Sequence, residues 1–454
     1  MRLNKAQTTV IVLLNVVIAA LLCTIFLVPI LSANASGGGT NDDPDKPVIT
    51  DPTTPTHSKL RDAAEGKVAE IARETRLMGS GDESVVATFY ADGVTYIFGN
   101  ATVGDLDFDG YGGFLCRIGE RGNILGFEYY DGTITACARA GAGYAVAVGS
   151  GSGADAEYSL YVTTGDDAEK AATLDGVGCG IFAADGTKTA VVTQPTATSL
   201  KLTEYSVAAG GEWNVGRSTR IDSGYTLKFF DCYDFSGAYV ISARAHSLPR
   251  YDSLVLYSFT PGGDAAAHYY GGWSGNITRP YAVMPSDFGY FALCDKNGIA
   301  TVISVDYAFE SFHSLSLGFT FDDAKLAYSR GKYYATFDCA DGAVTYELDK
   351  DLGRRKLSEL DGLSADRVAA VADGSVAVGA AGAVVSLGTQ KYTELKIVSL
   401  SGGKAVTVPV DNAVVYGMHK SPDGGYNIVL SASGGDGLSK PTGGRDVYIV
   451  KVNL

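Results

Sequence analysis

The sequence is poor in the residues that build long helices. Only 19% of its 454 residues are charged and only four are methionine, which excludes a helical bundle or coiled coil as the main body, because such folds need many long helix formers. Glycine (57) and tyrosine (27) are abundant instead, as is typical of turns and strands. With 46% hydrophobic residues, the chain can build a large core and is not disordered. The composition therefore predicts an all-β fold.

An excess of positive charge is missing as well. Lysine and arginine number 36 against 51 aspartate and glutamate, which gives a formal net charge of -15 and a pI near 4.8. Such a surface repels phosphate backbones, and no basic cluster offsets it. We therefore expect no nucleic-acid partner.

Motifs of metal binding and catalysis are absent too. None of the seven cysteines forms a CxxC pair, the five histidines lie far apart, and no GxSxG, HExxH or GxxxxGK motif occurs. We expect buried free thiols rather than a zinc site or a disulfide framework. The sequence predicts no catalytic or cofactor-binding residue and favours a non-catalytic protein, although a propeller channel can gather distant residues.

The N-terminus has the pattern of a membrane-targeting segment. Arg2 and Lys5 precede an apolar run over residues 10–31, which as a helix would rise about 33 Å and cross a hydrocarbon layer of about 30 Å. We predict a signal anchor there, with residues 1–9 in the cytoplasm and the rest outside the cell membrane. The alternative is a secretory signal cleaved after Ala35, which would release the protein.

Composition divides residues 32–454 into three segments. Residues 32–57 are rich in Gly, Asp, Pro and Thr and predict a flexible linker. Residues 58–72 have a helix-like composition and predict one short helix. Residues 73–454 form the predicted body.

The body repeats with a period of 44 to 53 residues. Strand-like runs end at turn residues: Gly79, Gly132, Gly176, Gly224, Gly271, Gly318, Gly362 and Asp411. This period is typical of β-propeller blades with four short strands each, although a solenoid or another all-β fold can share it. We predict eight blades, with seven as the alternative. The last unit has only three strands, so we expect a strand near Glu74–Met78 to complete it and close the ring.

Two parts of the body resemble a known type of repeat. The chain resembles a bacterial β-propeller repeat family with GGSGDDE, DGGYIVAG, GGYDYWVVKLD and GNI elements. The segments that carry the resemblance are 78–84, 95–99, 112–118, 122–125, 423–426 and 443–452. Valine, tyrosine or leucine replaces the family's usual tryptophan, and the middle units match the family only in the spacing of their strands and turns. The resemblance implies a secreted or surface propeller and carries no catalytic motif.

One loop has the pattern of a calcium ligand set. Asp105, Asp107 and Asp109 alternate before Gly110, as in loops that wrap carboxylate oxygens around Ca²⁺. The twelfth position is Cys116, so the glutamate that closes an EF-hand loop is missing. The other interpretation is a solvated loop between two strands. Apart from this Ca²⁺, no cofactor is expected.

Aromatic residues supply a candidate ligand surface. Tyr269, Tyr270 and Trp273 lie close together in sequence and are able to stack on sugar rings or on a partner's side chains. Packing between blades is the other interpretation, because tyrosine also suits strands.

Together these features predict a membrane-anchored extracytoplasmic propeller that acts as a binding or scaffold module at the bacterial cell surface. The expected partners are the membrane, through the N-terminal helix, and a surface protein or a polysaccharide. Two alternatives remain: a glycan-acting hydrolase or lyase with its site in the propeller channel, and a structural subunit of an envelope complex.

The calcium hypothesis predicts a measurable stabilisation. If Asp105, Asp107 and Asp109 hold Ca²⁺, millimolar calcium should raise the melting temperature of the chain above its value in EDTA, because a ligand that binds only the folded state stabilises it. Equal melting temperatures in the two conditions would exclude the site.

Overall fold

The computed structural model describes residues 48–49 and 71–453, apart from internal gaps. These gaps are 79–81, 103–110, 141–142, 152–154, 164–167, 183–186, 236–237, 248–250, 260–262, 272–276, 330–331, 341, 358–368, 374–375, 381–384, 388–389, 393, 400–404, 411–412, 434–437 and 439–443. The described residues contain strands and turns but no α-helix.

Two strands precede the first blade. Strand β1 (Val48–Ile49) pairs antiparallel with β2 (Ile71–Met78). Strand β1 therefore lies within the segment predicted as a flexible linker. Ile71 and Ala72, placed at the end of the predicted short helix, begin β2 instead, because this segment pairs with a second strand near the C-terminus.

The remaining N-terminal predictions concern other residues. The predicted span over residues 10–31, the cytoplasmic segment 1–9 and residues 58–70 lie outside the described part of the chain. Within the described part, no helix has the length and apolar character needed to cross a bilayer.

Seven four-stranded antiparallel sheets come next in chain order, each a meander of its own strands. Blade 1 contains β3 (Glu83–Ala91), β4 (Val94–Thr102), β5 (Tyr111–Gly119) and β6 (Ile124–Tyr130). Blade 2 contains β7 (Thr133–Ala140), β8 (Gly143–Ser150), β9 (Glu157–Thr163) and β10 (Ala168–Leu174). Blade 3 contains β11 (Val177–Ile181), β12 (Lys188–Thr196), β13 (Ser199–Val207) and β14 (Trp213–Asp222). Blade 4 contains β15 (Thr226–Phe235), β16 (Ala238–Ser247), β17 (Tyr251–Phe259) and β18 (Ala266–Tyr270).

The last three of these sheets keep the same order. Blade 5 contains β19 (Thr278–Pro285), β20 (Gly289–Lys296), β21 (Ile299–Asp306) and β22 (Phe312–Ser316). Blade 6 contains β23 (Asp323–Ser329), β24 (Lys332–Cys339), β25 (Gly342–Leu348) and β26 (Arg354–Lys356). Blade 7 contains β27 (Ala369–Asp373), β28 (Val376–Ala380), β31 (Glu394–Ser399) and β32 (Ala405–Pro409), with the hairpin of β29 (Val385–Leu387) and β30 (Gln390–Tyr392) inserted between β28 and β31.

The eighth unit is a composite sheet built from both ends of the described chain. It contains β33 (Val414–Lys420), β34 (Tyr426–Ala432) and β35 (Asp446–Val452), and β2 adds to β35. The register pairs Ile71 with Val452 and Leu77 with Val447. The prediction that an N-terminal strand near Glu74–Met78 completes the last unit is therefore confirmed. We call this five-stranded sheet the closing sheet.

The innermost strands connect the sheets into a ring. Each first strand, from β3 through β7, β11, β15, β19, β23 and β27 to β33, contacts the first strand of the next sheet, and β33 contacts β3. This closed order defines a β-propeller, as the sequence predicts. The boundaries also agree, since Gly132, Gly176, Gly224, Gly271 and Gly318 all lie between consecutive sheets.

Burial explains why these runs form strands. The second strand of a blade lies between two neighbouring blades, so both of its faces are covered: the first six residues of β8 and of β20 are buried. The outermost strand β14 is mostly exposed and polar. Two-residue turns with positive φ join paired strands at Asp92–Gly93 and Asn297–Gly298, as expected for tight hairpins.

The six described cysteines are free thiols inside this packing, as expected. Cys116 and Cys294 are buried and the other four are half-buried. Burial raises the pKa of the Cys116 thiol to about 12, which makes it unreactive at neutral pH.

Closure of the ring should depend on the apolar side chains of β2. Leu77 is fully buried and packs with Val85 of blade 1 and Val429 and Val447 of the closing sheet. We expect Leu77→Ala to lower the free energy of unfolding by about 2–5 kcal/mol, through lost burial and a residual cavity.

Leu125→Ala is the matched control, because Leu125 is 54% exposed and should change the unfolding free energy by less than about 0.5 kcal/mol. Both values follow from urea denaturation monitored by circular dichroism. Equal effects of the two substitutions would contradict the role assigned to β2.

Candidate functional site

The predicted calcium ligands lie outside the described residues. Asp105, Asp107 and Asp109 fall in the gap at 103–110, so the calcium hypothesis stays a prediction. Elsewhere, over the residues for which the structure gives positions, no three or more His, Cys, Asp or Glu side chains are grouped to hold a metal ion.

The two described members of the predicted aromatic surface point in opposite directions. Tyr269 packs against the core between blades 3 and 4, and its ring centroid lies 6.4 Å from that of Tyr225. Tyr270 packs on blade 5, with its ring 5.6 Å from Phe312, and burial together with the charge of Asp306 raises its pKa to about 12. Consecutive residues of a strand face opposite sides of the sheet, so these two rings do not form one surface. Trp273 lies outside the described residues.

The strongest described charge cluster joins blades 4 and 5. The buried carboxylate of Asp252 accepts from Arg244 at 2.5 Å, His246 at 3.0 Å and Arg279 at 3.3 Å. Burial opposes ionisation, but the hydrogen bond and charge of Arg244 hold the pKa of Asp252 below its usual value. Because these three side chains are committed to one acceptor, the cluster connects two blades rather than presenting a ligand site.

The central channel has few polar groups among its described side chains. Away from the strand ends, the exposed side chains of the innermost strands are Val86, Lys228, Asp231 and Lys325. The carboxyl of Asp231 is in contact with solvent, but protein surrounds most of it. Desolvation therefore raises its pKa to about 6, and a hydrogen bond from the Cys232 amide reduces this increase. Among the described side chains away from the strand ends, Asp231 is the one exposed carboxyl of this lining.

A groove with a polar lining lies between blades 3 and 4. It has a volume of about 500 Å³, within the range of small-molecule sites. Its lining comes from Phe182, which follows β11, and from the start of β12, the end of β13, the first half of β14, the end of β15 and the start of β16. Antiparallel pairing brings these five strand ends to the same end of the two blades, so residues distant in sequence meet there.

Aromatic rings form one wall of the groove. The rings of Phe182 and Tyr239 lie 4.5 Å apart at an interplanar angle of 59°, and Tyr239 also contacts Phe259 at 5.9 Å. The Tyr239 hydroxyl donates to Glu204 Oε1 at 2.9 Å. Burial and the adjacent Glu204 carboxylate raise the pKa of Tyr239 well above its usual value, so the phenol stays protonated and orients this carboxylate.

Polar groups of both signs line the other walls. Lys188 and Arg217 supply cations, and Glu204 and Asp234 supply carboxylates. The hydroxyl of Thr189 is buried and has no hydrogen-bond partner among the described residues. A buried hydroxyl without a partner costs free energy.

Sequence reasoning missed this groove for a physical reason. Its residues lie on five strands of two blades, and none of them belongs to a local motif. The position of these residues in the repeat could have revealed the groove. Once the propeller period is known, polar and aromatic residues at equivalent strand ends of neighbouring units can be predicted to lie close together.

No protein-family model and no curated protein sequence matches the chain. Solved structures do match it. The β-propeller domain of the Trilobed protease from Pyrococcus furiosus is 9% identical, with 72% of this chain and 97% of that chain covered and a TM-score of 0.38. The Cps50 β-propeller domain of Myceliophteria thermophila is 12% identical, with coverages of 84% and 100% and a TM-score of 0.41.

A europium-containing methanol dehydrogenase is 9% identical, with 81% of this chain and 93% of that chain covered and a TM-score of 0.45. Similarity at this level carries no argument about function, and the strand pairing of the chain itself defines the fold. The propeller that the resemblance implies is therefore confirmed, whereas membership of the particular repeat family stays a prediction.

Substitution of two threonines of β12 tests whether the unpartnered Thr189 hydroxyl destabilises the protein. We expect Thr189→Val to raise the free energy of unfolding by about 1 kcal/mol, because it removes a buried polar group without a partner. Thr193→Val should lower it by about 1 kcal/mol, because the Thr193 hydroxyl donates to Asp175 Oδ1 at 2.8 Å. Urea denaturation of both variants measures the difference, and a loss of stability in Thr189→Val would contradict this account.

Proposed function

We propose that the chain is an envelope-tethered β-propeller that binds a hydroxyl-rich ligand, a glycan by class, in the groove between blades 3 and 4. One observation carries the proposal: the groove combines an aromatic wall with hydrogen-bonding groups of both signs.

The chemistry of these groups matches a sugar better than an ion. A sugar hydroxyl both donates and accepts, so it can bond simultaneously to a carboxylate such as Glu204 and to a cation such as Lys188. The apolar face of a sugar ring packs on aromatic rings such as Tyr239 and Phe182. The mixture of charges leaves the groove without a strong preference for an anion or a cation.

The location at the cell envelope belongs to the same proposal. It rests on the apolar run over residues 10–31, its basic flank and the Gly-, Asp- and Pro-rich stretch after it. The partners would then be the membrane and a surface polysaccharide, with a surface protein as the alternative ligand.

Two observations weigh against the other functions that the sequence left open. The described channel lining offers Asp231 without a second carboxyl, which does not favour a glycan-cleaving site there. The exposed large hydrophobic side chains are spread over several blades, among them blades 1, 3 and 5, whereas a structural subunit is expected to expose one contiguous apolar patch.

Binding to defined sugars tests the proposal. The purified chain should be applied to an array of bacterial oligosaccharides, and the affinity for the best ligand measured by titration calorimetry. We expect Tyr239→Ala to weaken binding at least about tenfold, because it removes both the stacking ring and the hydroxyl that orients Glu204.

Tyr129→Ala is the matched control, because Tyr129 is 44% exposed and lines a different cavity between blades 1 and 2. The proposal fails if Tyr129→Ala reduces binding as much as Tyr239→Ala. It also fails if the chain retains from its host's solubilised envelope one stoichiometric protein and no polysaccharide.

A further inference from the structure

A row of polar side chains crosses the closing sheet where that sheet packs against blade 1. Strand pairing places His419 of β33 opposite Asn427 of β34. In the same way Lys451 of β35 lies between Asn427 and Arg73 of β2. We call these four residues the polar row. His419, Asn427 and Lys451 are buried, so the row depends on hydrogen bonds to offset the loss of solvent.

A chain of hydrogen bonds runs along the row and reaches blade 1 at both ends. His419 Nε2 lies 3.2 Å from the Thr95 hydroxyl of β4 and 3.2 Å from Asn427 Nδ2. The guanidinium of Arg73 donates to Asn427 Oδ1 at 3.2 Å and to the Glu120 carbonyl, just after β5, at 2.7 Å. The chain therefore joins the innermost strand β33 and the closing strand β2 of this sheet to blade 1.

These contacts favour the neutral form of His419. The amide oxygen of Asn427 accepts from Arg73, so its amide nitrogen faces the imidazole, and an amide nitrogen can only donate. His419 Nε2 must then accept, and the Thr95 hydroxyl is able to donate to the same atom. A proton on Nε2 would remove this acceptor and leave a buried donor of Asn427 without its partner, which costs free energy.

Fixed charges of the closing sheet also oppose a proton on His419. Arg73 and Lys451 already bring two cations to the row. Asp423 offsets part of this charge, because its Oδ1 lies 2.5 Å from Lys451 Nζ. A further cation in this buried row would add repulsion that water screens only in part.

Blade 1 contributes an aromatic ring and a carboxylate to the same place. The Tyr90 ring stacks on His419 with centroids 4.0 Å apart at 12°. Desolvation, followed by the Glu120 carboxylate, raises the pKa of Tyr90, so the phenol stays protonated and can donate to this carboxylate. The ring and Glu120 favour an imidazolium, but Tyr90 is 40% exposed, and a cation–π contact is weak at such a site. Burial, the donor from Asn427 and the two cations therefore outweigh them.

We propose that the polar row makes ring closure sensitive to pH, and that acid loosens the contact between the closing sheet and blade 1. The folded ring holds His419 neutral, whereas a histidine of the unfolded chain takes up its proton near pH 6.5. The stability that the row supplies is therefore complete above about pH 6.5 and is lost as the pH falls below it. Arg73 belongs to the row, so the loosening should reach β2.

Hydrogen exchange of the purified full chain, followed by mass spectrometry at pH 7.5 and pH 5.0, tests the proposal. After correction for the intrinsic rates, we expect peptides that cover β2 and β35 to exchange at least about fivefold faster at pH 5.0, because local opening of the closing sheet becomes easier. Peptides of β12 and β13 in blade 3 should change less than about twofold. An equal acceleration in blade 3 would indicate general acid lability and would overturn the proposal.

A variant separates His419 from the other histidines, which is necessary because burial lowers the pKa of His268 as well. His419→Gln stays neutral over this range, and its amide oxygen can accept from Asn427. Between pH 7.5 and pH 5.0 the unfolding equilibrium constant of wild type, measured by urea denaturation, should rise about tenfold more than that of His419→Gln. His313→Gln is the matched control, because His313 is exposed on β22, and it should keep the wild-type pH dependence.

The proposal is also overturned if His419→Gln loses as much stability in acid as wild type does, or if β2 and β35 exchange equally fast at the two pH values. The exchange measurement uses wild type alone, so it decides the question even if His419→Gln does not fold. None of these outcomes depends on the glycan groove.

Discussion

Pairing between β2 and β35 joins the two ends of the described chain in one sheet, and the arrangement of every other sheet depends on it. Each blade covers both faces only when a neighbour stands on either side, so an open ring would expose the apolar faces of blade 1 and of the closing sheet. Leu77 and Val447 pair across this closure, and Val85 packs against them. The same closure brings Glu83 and Asp446 together.

The proposed groove lies between two sheets rather than within one. Phe182 and Tyr239 meet because blades 3 and 4 pack together, and Asp82 meets Arg445 because the ring closes. The hydrogen bonds of a blade satisfy its own backbone, which leaves side chains at the strand ends available for ligands. Neighbouring blades thus supply different halves of a site, and its chemistry depends on side chains from two repeats.

The sequence could predict more of the fold than of the candidate site. The period marked by Gly132, Gly176 and Gly224 predicted the blade boundaries because turns between sheets need residues that tolerate tight backbone geometry, a local property. The closing strand was predictable because the last unit lacked one. The hydrogen bond between Tyr239 and Glu204 could not be predicted, because it joins residues that are 35 positions apart and meet only when two blades pack together. Tyr269 and Tyr270 pack on opposite sides of their sheet for the opposite reason: neighbours in a strand are kept apart by the pleat.

The position of β2 also determines the order in which the protein can fold. Its partner β35 is made only after blades 1 to 7, and at typical rates of synthesis the delay between β2 and β35 is on the order of tens of seconds. During that time β2 has an unsatisfied edge, although blades 1 to 7 can pair their own strands locally as each one appears. Ring closure is then a late, non-local event. Until it occurs, the free edge of β2 can pair with the wrong strand or with another chain.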